Sequence, residues 1–228
     1  MISRAWSTPE IGIVLGGLLL FYLFASFTGI FFYEEQIPLA RLVLTVLLYI
    51  FILTLIALIN QRRGDTWSGS YGMGYRQLGK LVLSPLIYLA ALPFFIASAK
   101  AWHWLLQNVS GRAVELQEVA QVVSQERSWL QVLYIVMAIA GAPFFEEILF
   151  RGILFPYFVK HAGLARSTVL VSVLFALLHF HLPSFIPLGL LSALLCLLYW
   201  RSGSLWIGIG VHGIFNAVSI LALRLIEM

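Results

Sequence analysis

Seven apolar stretches separated by short polar breaks account for most of the chain: Ile11–Tyr33, Ile37–Asn60, Leu81–Leu106, Ser128–Lys160, Arg166–His181, Pro187–Trp200 and Leu205–Ile226. Most are long enough for an α-helix to cross a hydrocarbon core, which takes about 20 residues. The first is too long for a signal-peptide core and reads as a retained span. Glu34 and Glu35 predict a tight turn before the second. Pro85 and Pro93 predict kinks in the third, since each removes a backbone donor. The fourth is longer than a bilayer needs, so tilt or a kink is expected at Pro143, which frees the carbonyl of Ile139 beside the acids that follow. Between the third and fourth stretches, Gly111–Arg127 is the longest polar segment. Its Val114, Leu116, Val119, Val122 and Val123 fit either one face of an interfacial helix or a solvated connector.

Composition agrees with this pattern. Of the 228 residues 61% are hydrophobic and 11% charged, against roughly 25% charged in soluble domains. The expected fold is all-α, a polytopic transmembrane bundle of about seven spans. It forms a single membrane domain over 1–228, with 1–127 as N-terminal spans and 128–222 as the core. The lone Cys196 excludes an intramolecular disulfide and a cysteine metal cage. The net charge of +4 does not indicate nucleic acid, because the basic residues flank the spans. Eight Lys and Arg fall on the side of the N-terminus and five on the other, which predicts a cytoplasmic N-terminus.

Strongly polar side chains at depth occur in three of the last four spans. The fourth holds Glu146, Glu147 and Arg151; the fifth has Phe175-Ala-Leu-Leu-His179; the seventh has His212-Gly-Ile-Phe-Asn216. On a helix Glu147 and Arg151 share a face, as do His212 and Asn216, whereas Glu146 points about 100° from Glu147. Counted from the cytoplasmic end of each span, Glu146 lies roughly 21 Å deep, His179 roughly 20 Å, His212 roughly 12 Å and Asn216 roughly 18 Å. Three spans thus bring their polar residues into one slab, and ionisable groups there are costly enough to imply function.

A carboxylate beside two imidazoles and away from bulk solvent can hold and deprotonate a water molecule. Asn216 and one histidine can donate to the oxyanion that forms when that water attacks a carbonyl. Glu147 paired with Arg151 reads as a structural clamp. The alternative is a zinc site with Glu147, His179 and His212 as ligands, although the His-Glu-x-x-His spacing of soluble zinc proteases is absent. Two further readings are a catalytically idle scaffold or immunity protein and a small transporter with Glu146 as proton carrier. The lack of repeat symmetry argues against the transporter.

The ordered set Glu146-Glu147-x-x-x-Arg151, Phe175-x-x-x-His179 and His212-x-x-x-Asn216 resembles the CAAX-protease and bacteriocin-processing family of intramembrane endopeptidases. The resemblance spans about 128–222. It implies hydrolysis of a membrane-associated protein or peptide, CaaX-type in eukaryotic members. It also implies that Glu146 activates water with His179 and that His212 and Asn216 stabilise the oxyanion. Phe175 is carried as a packing residue of its motif. The family is divided between metal-free and zinc mechanisms, so the resemblance names no cofactor.

Overall fold

The computed structural model describes residues 6–29, 37–110 and 129–226, and these contain helices and turns but no strand. The long helices are α1 (Thr8–Gly29), α2 (Ile37–Arg63), α3 (Ser84–Ser110), α4 (Trp129–Ala162), α5 (Leu164–Leu177), α6 (Phe185–Ser202) and α7 (Leu205–Ile226). Helix is the expected outcome for such segments, since in hydrocarbon every backbone group must find its partner within the segment. Five helical runs are long and apolar enough to cross a membrane: α2, α3 with its preceding turns, α4, α6 and α7. The apolar helices Thr8–Phe21 and Leu164–Leu177 are shorter. The predicted turn at Glu34–Glu35 and the polar segment Gly111–Arg127 lie outside the described residues.

Burial is inverted relative to a soluble protein. Leu20, Leu86 and Phe94 are about 70% exposed, while Glu147 and Arg151 are wholly buried. Apolar side chains point outward and the charges point inward, as a lipid solvent requires. The protein is an integral membrane helix bundle. Within it α7 packs against α3, α4 and α6, and α5 lies along α6. On the side of the N-terminus, Lys80 Nζ donates to Ser202 O and Ser204 Oγ to Gly72 O, so the turns before α3 are tied to the α6–α7 turn.

Two sequence expectations need correction. Pro85 does not kink a span. It is the second residue of α3, where its missing N–H is one of the orphans of a helix start, and a 3-10 turn (Gly79–Leu83) precedes it. The fifth helix ends at Leu177 rather than near His181, so His179 lies in the turn beyond it. There Phe180 takes a left-handed φ of 48° and Pro183 follows, neither of which continues a helix. Pro93 sits inside α3 without ending it. The irregularity expected at Pro143 takes the form of π-helix. Within α4, Met137–Gly141 and Glu147–Leu154 are π-helical and flank the α-helical Ala142–Glu146.

Candidate active site

The first π segment sets how α4 meets α7. Ala142 N–H bonds to Met137 O, five residues back. In that register the partner of Pro143 would be Ala138 O, and in α register Ile139 O, yet proline has no N–H for either. Both carbonyls face α7 instead. Asn216 Nδ2 donates to Ala138 O at 2.7 Å. Gly213 lies so close to Ile139 that a Cβ there would stand 2.5 Å from its carbonyl oxygen. A proline-made gap in one helix is therefore filled by an amide and a glycine from another.

The two adjacent acids face different surroundings. Glu147 Oε1 accepts from Arg151 Nη1 at 2.9 Å and lies 3.2 Å from His212 Nδ1. Arg151 Nη2 donates to Ser192 Oγ at 2.8 Å and Ser192 O at 3.2 Å, which joins α4 to α6. The clamp read from sequence is present, with Ser192 as a partner that sequence did not suggest. Gly208 permits it: a Cβ at that position would stand 2.8 Å from Glu147 Oε2. Glu146, by contrast, has a side chain 20% exposed and no hydrogen bond among the described residues; its Oε2, unpartnered like that of Glu147, lies 3.8 Å from His212 Nε2. That separation is beyond hydrogen-bond range.

Proton positions follow from the partners. An ionised Glu147 can only accept, so His212 carries a proton on Nδ1 and turns Nε2 toward Glu146. His179 Nδ1 lies 2.7 Å from Phe175 O, and a carbonyl likewise only accepts. Nε2 of His179 is therefore left with its lone pair. This contact also explains the Phe-x-x-x-His spacing. Beyond Leu177 the backbone tightens, and His179 N bonds to Ala176 O at 3.3 Å instead of reaching Phe175 O. The imidazole then takes over the orphaned carbonyl and caps its own helix.

Phe175 is the hub of the site. Its ring centroid is 4.7 Å from that of His179, 5.6 Å from His212 and 5.0 Å from Phe150, and the Arg151 guanidinium carbon lies 4.7 Å from it. The structure thus brings Glu146, Glu147, Arg151 and His212 into one cluster. Phe175 seats His179 beside it, and Asn216 is anchored on α4 one turn beyond His212. Among the described residues, His179 makes no hydrogen bond to Glu146.

Zinc was the alternative read from sequence. Among the described residues no three His, Cys, Asp or Glu side chains are grouped to hold a metal ion. Glu147 and His212 bond each other rather than converge, a guanidinium sits on the carboxylate, and the Phe175 ring lies between the histidines. The set Glu147, His179 and His212 does not fit zinc in this arrangement.

Fold and site together define a polytopic α-helical membrane protein with an ionisable cluster sealed between α4, α5, α6 and α7. Residues 128–218 match the family model Rce1-like, type II CAAX prenyl endopeptidase Rce1-like. Glu146-Glu147-x-x-x-Arg151, Phe175-x-x-x-His179 and His212-x-x-x-Asn216 all lie within the matched segment. No curated protein and no solved structure matches the chain.

Proposed function

We propose that this protein is an intramembrane endopeptidase. It hydrolyses a peptide bond of a membrane-associated protein or peptide, lipidated or CaaX-type, with water as nucleophile and without a metal. The observation that carries the reading is the state of Glu146. Among the described residues it is the one charged side chain of the cluster without a hydrogen bond, while Glu147 holds His212 beside it.

In this reading Glu146 takes a proton from a water molecule, assisted by the free Nε2 of His179. The water oxygen bonds to the substrate carbonyl carbon. The resulting oxyanion accepts from the second amide hydrogen of Asn216 and from His212 Nε2–H, whose imidazolium the Glu147 carboxylate supports. Collapse breaks the C–N bond, and the proton held by Glu146 passes to the leaving amine. Glu147 and Arg151 keep this frame in place. The excess of Lys and Arg on the side of the N-terminus favours an N-terminus in the cytoplasm, and were the source bacterial the membrane would be the plasma membrane.

The test compares protein termini in membranes expressing the wild type and Glu146→Gln at equal abundance. Termini found only with the wild type identify the protease and its substrates together. Identical termini replace this reading with an idle scaffold or immunity protein. Purified enzyme should stay active after exhaustive chelation, and loss of activity restored by zinc would overturn the metal-free route.

A further inference from the structure

The mechanism above draws only on residues from 128 onward, yet one group from the N-terminal spans reaches the same slab. Tyr49 on α2 stacks on Phe145, the residue before Glu146, with ring centroids 4.1 Å apart and planes 14° from parallel. Depth agrees with contact. Tyr49 lies fourteen residues before Arg63 and Glu146 fourteen before Lys160, roughly 21 Å in each case. The two helix ends are brought level through α1, where Glu10 pairs with Arg63 at 3.0 Å and Thr8 Oγ1 lies 3.1 Å from Tyr157 Oη.

The ring alone does not account for a tyrosine here, because phenylalanine would stack as well. Held in that stack, the hydroxyl makes no hydrogen bond among the described residues. The Glu146 carboxylate in turn lacks a donor. It is faced by His212 from α7, with Glu147 and Arg151 on its own helix turned toward α6 and α7, while Tyr49 of α2 is held at the same depth against the preceding residue. A phenol without an acceptor and a carboxylate without a donor thus lie at one level beside the same short stretch of α4.

We propose that Tyr49 is a positioning residue for Glu146, its hydroxyl donating through a shared water to the carboxylate. This rests on the reading of Glu146 as the base. It gives the N-terminal spans a part in the site beyond that of a wall.

The test is Tyr49→Phe, which keeps the ring stack and removes only the hydroxyl. Expected are an unchanged melting temperature, an unchanged KM, and a kcat lower by about tenfold, the size of one neutral hydrogen bond. The infrared carboxylate stretch of Glu146, assigned by its loss in Glu146→Gln, should shift in Tyr49→Phe. An unchanged kcat and an unmoved band overturn the proposal and leave Glu146 as the base. A change confined to KM also overturns it, since that would make Tyr49 a substrate contact. If wild type and Glu146→Gln are equally inert, the reading of Glu146 fails, and the infrared band alone decides whether Tyr49 positions it.

Discussion

Glu146 and Glu147 are the same residue type, one position apart on one helix, and differ in almost everything else. The Glu147 side chain is 1% exposed and bonds to Arg151 and His212; that of Glu146 is 20% exposed and makes no hydrogen bond among the described residues. The difference arises from rotation alone. One position turns a side chain about 100°, so that Glu147 bonds to Arg151 and His212 Nδ1 while Glu146 is left 3.8 Å from His212 Nε2. A buried carboxylate bonded to an arginine is a structural element, and a partly exposed one bonded to no side chain among the described residues is available for chemistry. The pair shows how a bundle can use one acid to hold the frame in which the other works.

Substitutions can separate the two roles. The largest effect on turnover is expected from Glu146→Gln, about 10²–10⁴-fold or more in kcat, with a melting temperature equal to wild type. A matching loss of stability would make Glu146 structural and erase the contrast. Arg151→Ala strands the Glu147 carboxylate and should cost about 3–5 kcal/mol in equilibrium unfolding in detergent, with activity falling alongside. An unaffected unfolding curve would contradict the clamp. Gly208→Ala pushes a methyl group into Glu147 Oε2. It should cost about 1–3 kcal/mol and leave the accessible face of Glu146 unchanged. If Gly208→Ala instead removes activity without destabilising, the two acids are not separate in function.

The spans were legible because a bilayer imposes length and outward hydrophobicity, and the seventh stretch coincides with α7. The two acids, Arg151, both histidines and Asn216 stood out as candidates because a charge or amide at depth in an apolar run has few innocent explanations, and Phe175 came only with the motif that the family resemblance supplied. The end of α5 was not, because hydropathy continues through His179 and Phe180 while the backbone has already turned. Ser192 was missed because serine is common in spans and its role appears only once Arg151 reaches across to α6. Tyr49 was missed for a similar reason: it reads as one more aromatic in an apolar helix until the stack on Phe145 places it. The π segments left no signal beyond Pro143, since hydrogen-bond register is not written in composition.

Those π segments make the rotational phase of α4 a quantity the protein must conserve. Removing one residue from Met137–Gly141 would restore ordinary α register and turn everything downstream by about 100° relative to what precedes it. Asn216 could then keep its carbonyl, or Arg151 could keep Ser192 and Glu147 keep Gly208, but not both. Between Gly141 and Glu146 the helix should tolerate changes of side chain far better than changes of length, because a single added or lost residue puts one acid in the other's place and an apolar side chain where the second acid stood.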